Sequence, residues 1–335
     1  MIVQLRTRRL TEEQLRDVLA RNPRDAARWI STAAQAGFPA AQVVWGQLLL
    51  DGRGVDRDPG KAFTWFEKAA ALGDTEARNM VGRCYEQGWG VAPDRERASE
   101  AFEIAAQAGH VWGQVNLAQM LMRRGNPTDR SRCFALFKAA AESGTSKPHL
   151  KAMNSLARLL EEGWAGPPDT ASAAHWYMQA AKLGDHWAQY NLATIMFRQG
   201  DHEAADQWLR SAVAVSENGF RRRIASLLLA RPEMALRKHG LDALAHCAEG
   251  MAPDDLYAYG LALDEGLAGP CDAGPAAALF KAAAARGHVQ AAMRIQSKNR
   301  FGAIRRLAGR AFTVARRLPG SLGLTQSSRE KHNES

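Results

Sequence analysis

The chain has 335 residues, is 46% apolar and carries a net charge of +9, from 44 Lys and Arg against 35 Asp and Glu. No run approaches the roughly eighteen consecutive apolar residues that a membrane-crossing helix needs. Alternating Val, Ile and Thr runs are also missing, so the Ala-rich composition favours an all-α protein over a sheet.

The chain starts MIVQLRTRRLTEEQ, whose apolar stretch is too short for a secretory signal and which holds no Cys for lipid attachment. A cytoplasmic location is the expectation. Thr11 to Ala20 and Arg24 to Ala36 then read as a helix pair, with Thr11 and Gln14 spaced for a capping box. Residues 1–36 are thus expected to form an N-terminal capping helix pair.

Next comes GVDRDPGKA, Gly54 to Ala62, which superficially resembles a phosphate-holding loop. Such a loop needs Gly, four residues, Gly-Lys and then a hydroxyl side chain. Here five residues separate Gly54 from Gly60, and Ala62 stands where Ser or Thr should be. Self-similarity supplies another reading. The stretch Asp51 to Asp74 is echoed by Glu86 to His110, Glu161 to Asp185 and Asp264 to His288. In each copy a small residue is followed four positions later by a ring: Ala62 and Phe66, Ala98 and Phe102, Ala173 and Tyr177, Ala276 and Phe280. Cys133 and Phe137 make a fifth pair. That spacing puts both groups on one helix face, the small one leaving room for a neighbouring helix and the ring filling it. Each ring precedes an Ala-rich helix end and a closing Gly, at 37, 73, 109, 144, 184 and 287. A second helix pattern follows each Gly, and Asp58, Asp94, Asp169 and Asp272 stand where the other helix begins, as N-caps do. A site would be needed once; a part repeated this often is scaffold.

The recurring small residue after an apolar one (Gly46, Val81-Gly82, Leu117-Ala118, Leu192-Ala193), the Gly-x-Gly loop, the Ala-to-aromatic pair and the closing Ala-Ala-x-x-Gly together resemble the Sel1-like repeat family, relatives of tetratricopeptide repeats. The resemblance covers roughly Ala26 to Met293. It implies a right-handed α-solenoid of about seven to eight two-helix repeats over residues 37–297, whose first helices line a concave face that binds proteins or peptides. The family marks fade at about residues 219–250, where Pro232 must break or start a helix. Some secreted members bind or hydrolyse β-lactams, but they commonly carry a Cys pair in each repeat. Cys84, Cys133, Cys247 and Cys271 show no such regularity, and Cys84 and Cys133 fall at packing positions.

From residue 298 onward the texture changes, and seven of the nine net positive charges lie there. The repeats are nearly neutral, which argues against a nucleic-acid surface. Phe301 to Leu318 sets an apolar arc against Arg305, Arg306, Arg310, Arg316 and Arg317. Two readings stand: a helix capping the last repeat, or one adsorbing to anionic lipid or an acidic partner.

No catalytic constellation can be singled out, and no cofactor site is expected. The nine histidines do not complete a zinc set with the cysteines. Counted from the closing Gly, the fourth position of successive units is Ala40, Glu76, Trp112, Trp187 and Gln290. The polar members imply partial exposure, so Trp112 and Trp187 are candidate anchors for a partner. Gln114, Asn116, Gln189, Tyr190 and Asn191 lie near them on the same helices and could pair with an extended peptide backbone. The competing reading has the rings folded over repeat junctions and the amides bonded to neighbours. Trp89 and Trp164 are expected to clamp their loops onto their own units.

Overall fold

The computed structural model describes residues 22–164 and 166–297, and every regular element among them is helical. The expected helix at Thr11 to Ala20 and the basic segment with Arg305, Arg306, Arg310, Arg316 and Arg317 lie outside the described residues. Two compact units divide the chain, Met1–Ala212 and Val213–Ser335.

The first unit runs α1 (Pro23–Gln35), α2 (Pro39–Asp51), α3 (Pro59–Ala71), α4 (Thr75–Gln87), α5 (Arg95–Gln107), α6 (Val111–Arg124), α7 (Arg130–Glu142), α8 (Lys147–Glu162), α9 (Thr170–Lys182) and α10 (His186–Arg198), followed by α11 (His202–Ala214) at the division. Each helix from α1 to α9 packs on the next in sequence. The second unit contains α12 (Asn218–Leu229), α13 (Met234–Ala248), α14 (Pro253–Asp264) and α15 (Ala273–Ala285), then a helical stretch at 289–297. Here α12 packs on α13 and α14 on α15, so helix pairing persists where the family marks fade. Pro232 stands between α12 and α13, outside both.

Helix starts follow the caps. The Asp58 carboxylate accepts from the Lys61 amide at 2.9 Å, that of Asp94 from Glu96 and Arg97 at 3.0 Å, and that of Asp169 from Ser172 at 2.9 Å. Each such cap contributes about 1 kcal/mol. The residues after the closing glycines cap the other helices. Asp74 accepts from Ala77, Asp185 from Ala188, and the imidazoles of His110 and His288 from Gly113 and Ala291.

The small-to-aromatic pairs form the core of each unit. Ala62, Ala98, Cys133, Phe66, Phe102 and Phe137 are all fully buried. The rings press against the small residue of the preceding helix: a Cβ on Gly46 would lie 2.6 Å from the Phe66 ring, and one on Gly82 would lie 2.6 Å from the Phe102 ring. Cys84, Cys133 and Cys247 are buried free thiols, and burial pushes Cys84 up to about 12.

The glycines of the loop join one unit to the previous one. Gly54 and Gly90 both have φ near +70°, and a Cβ on either would sit 2.0 Å from a carbonyl oxygen, of Pro23 and Pro59 respectively. Those prolines are the first residues of α1 and α3. The loop therefore lies directly on the N-terminus of the second helix of the preceding unit.

A further joint recurs between residues eight apart, its donor five residues after a closing Gly in three cases and after Ser216 in the fourth. Gln42 donates to the Ala34 carbonyl, Arg78 to Ala70, Gln189 to Ala181 and Arg221 to Val213, each reaching back to the end of the preceding helix. These carbonyls belong to the last turn, where intrahelical partners run out.

A candidate partner-binding face on the first helices

The helices that open each repeat, α4, α6, α8 and α10, form a row in the first unit. Direct packing of alternate helices occurs here, α4 on α6 and α6 on α8. Polar rungs tie the row together. Asn116 Nδ2 donates to Asn79 Oδ1 at 2.8 Å, and Asn191 Nδ2 donates to Asn154 Oδ1 at 2.9 Å. One turn or two further along, Arg123 pairs with Glu86 and Arg198 with Glu161. All four bonds span 37 residues.

The two sets are the same set, displaced by 75 residues. Asn79, Arg83, Glu86, Trp112, Gln114, Asn116 and Arg123 recur as Asn154, Arg158, Glu161, Trp187, Gln189, Asn191 and Arg198. Apart from Gln189, which serves the joint, and Gln114 at the same register position, none of these is needed by the 36-residue helix-pair frame. The first-helix row therefore repeats every two units, a period that was visible as a shift of 75 but hidden behind the stronger shift of 36.

The proposed anchors fall on this row with different surroundings. Trp112 is half-buried; its ring packs on the core and lies 5.5 Å from Lys151 Nζ. Trp187 is half-buried and meets Tyr190 edge to face at 6.2 Å. Asn116 and Asn191 are half-buried donors to the neighbouring helix, which is the structural role weighed against peptide binding. Gln189 requires a correction: at 4% exposure, with its amide donated to Ala181, it belongs to the joint and not to the candidate face. Gln114 occupies the same register position and is half-buried. The Trp89 ring does hold its loop to its own helix, lying 4.8 Å from the Arg83 guanidinium. The Trp164 indole bonds Glu162 of its own unit at 2.8 Å and also lies 5.3 Å from Arg130 of α7.

Lys151 is the residue that counting from the closing Gly misses. Counted back five positions from the recurring apolar dipeptide, Val81, Leu117, Leu156 and Leu192 give Glu76, Trp112, Lys151 and Trp187. Four extra residues between Gly144 and the Leu156 dipeptide displace the forward count to Lys147.

At the head of the row, His110 Nδ1 accepts from the Gly113 amide, so its Nε2 carries the proton that meets Glu76 Oε2 at 2.8 Å. The bond from His110 holds the Glu76 carboxyl below the ordinary carboxylate range against the opposing effect of burial. A depressed carboxyl contributes stability that is present above its unfolded value and is lost as pH falls through the folded one. Urea midpoints measured from about pH 6 down to about pH 3 should therefore fall less steeply for Glu76→Gln than for the wild type. Parallel acid limbs would show that this pair contributes nothing to stability.

The Glu86–Arg123 pair lines a cleft of about 700 Å³ with Gln87, Arg95, Glu96, Met120 and Arg124. Two carboxylates and three guanidiniums line it, with no nucleophile among them. Among the described residues, no group of three or more His, Cys, Asp and Glu could hold a metal ion, and no helix is long and apolar enough to cross a membrane.

A family model described as the Sel1 repeat matches seven segments, residues 14–38, 39–74, 75–110, 113–145, 150–185, 188–213 and 253–288, which together make up more than half of the chain. The unmatched interval between the last two holds most of α12 and α13. Among solved structures, a Sel1 repeat protein from Oxalobacter formigenes is similar at 21% identity and a TM-score of 0.58, over 70% of this chain and 99% of that one. A protective antigen of uropathogenic Escherichia coli with an SLR fold is similar at 23% identity and a TM-score of 0.36, over 86% of this chain and 71% of that one. No curated protein matches the sequence.

Proposed function

The chain belongs to the Sel1 repeat family of α-solenoids, and on that premise we propose that it is a non-catalytic scaffold whose first helices bind a protein or peptide. The observation that carries this reading is the recurrence, 75 residues apart, of one set of side chains outside the helix-pair frame. Core packing buries Phe102 and Tyr177 fully, whereas Trp112 packs on the core yet stays half-buried, as does Trp187 at the matching place on the same helix row. Indoles so placed bury much area on contact at little entropic cost, as binding hot spots do. Three buried free thiols fit a reducing, cytoplasmic setting.

Capture of partners from the native cell by the wild type and by Trp112→Ala/Trp187→Ala tests the reading. The double variant is expected to lose most of its partners while keeping its helical circular dichroism. Equal recovery by both would take the two indoles out of the binding face.

A further inference from the structure

We propose that the stretch of row spanned by α4, α6 and α8 receives an acidic, extended segment of another protein, its carboxylates on Arg83 and Lys151 and an apolar side chain against Trp112. This rests on the scaffold reading above and gives its partner a chemistry.

Four of the eight cations on the row have carboxylates, and Arg78 donates to the Ala70 carbonyl. Arg123 pairs with Glu86, Arg124 with Asp129 at 3.7 Å, Arg158 with Glu162 at 3.7 Å and Arg198 with Glu161. Arg83 and Lys151 differ. Among the described residues neither forms an ion pair, and each instead stands over an indole, Arg83 at 4.8 Å from the Trp89 ring and Lys151 at 5.5 Å from the Trp112 ring. The rings fix the position of both cations without neutralising them. A cation over a ring in an exposed place gains only about 0.5–1 kcal/mol, which leaves the charge free for an anion.

The positive charges also act on one another across three helices. Partial burial first, and the Arg83 and Arg123 charges second, hold the Lys151 ammonium below the ordinary lysine range, while Glu86 opposes them. An incoming carboxylate would relieve that repulsion. Asn79 precedes Arg83 by one turn and Asn116 follows Trp112 by one turn, so their rung lies between the two cation–indole pairs. Glu76 and Glu86 sit on the same stretch and would repel a uniformly charged polyphosphate. A peptide can place its acids at the two cations and neutral side chains elsewhere.

The test uses the full chain and a labelled synthetic peptide of Glu and Asp around one Phe, followed by fluorescence anisotropy. Arg83→Gln/Lys151→Gln is expected to weaken binding about tenfold, and Arg83→Lys/Lys151→Arg to retain it. Unchanged binding in the Gln variant would assign the peptide to the basic segment after residue 297 and overturn the proposal. Equal competition by an oligouridine would also overturn it, as a charge effect without peptide specificity. Native partner capture separates this idea from the scaffold reading. Loss with Trp112→Ala/Trp187→Ala but not with Arg83→Gln/Lys151→Gln leaves a scaffold whose partner is not acidic; loss with neither ends both.

Discussion

Gly90→Ala should destabilise the first unit by more than about 3 kcal/mol, whereas Gly109→Ala should cost about 1–2 kcal/mol. Both glycines have a left-handed backbone, with φ of +73° and +77°. Both therefore lose the conformational freedom that an L side chain lacks there. The difference lies in space. A Cβ on Gly109 meets nothing within 4 Å, but one on Gly90 would stand 2.0 Å from the Pro59 carbonyl oxygen and 2.7 Å from the Gly60 amide. Those atoms are backbone at the start of α3 and cannot rotate aside. The loop must lift off the neighbouring unit, and the packing between units, on which a solenoid depends, is lost with it. Urea unfolding of the two variants beside the wild type decides the matter. Similar midpoints for both would mean that the loop contact contributes little.

Phe102→Ala is the second large effect, at about 3–5 kcal/mol, the cost of deleting a fully buried ring. Its partner across the helix pair makes the prediction sharper. Gly82→Ala alone should also destabilise, because the new methyl would lie 2.6 Å from the Phe102 ring. In the double variant the methyl enters space that the ring has vacated. The combined loss should then fall short of the two single losses added together by more than about 0.5 kcal/mol. Strict additivity in a urea double-mutant cycle would show that the ring and the glycine do not share that volume.

The frame was legible in the sequence because its parts are local. The Ala-to-ring spacing of four, the Asp caps and the closing glycines each act within one helix or one turn, so a single strand of text displays them. The candidate face was less legible, because it is made of contacts between units. Asn79 and Asn116 are 37 residues apart, and nothing in either helix alone announces that they meet. Gln189 read as an exposed amide because polar residues on a helix usually face water; the structure turns it inward to an orphan carbonyl. Lys151 was lost to four inserted residues, which shift a count made from the preceding turn but not one made from the apolar dipeptide that packs. Packing, not the turn, sets the register.

The 75-residue recurrence has a consequence for how such a chain can lengthen. Adjacent single units are not interchangeable, since an Arg must face a Glu. Blocks of two units, by contrast, begin and end with the same mating edges. Growth or shrinkage by whole blocks keeps those pairings matched, whereas adding an odd number of units would set Arg against Arg or Glu against Glu.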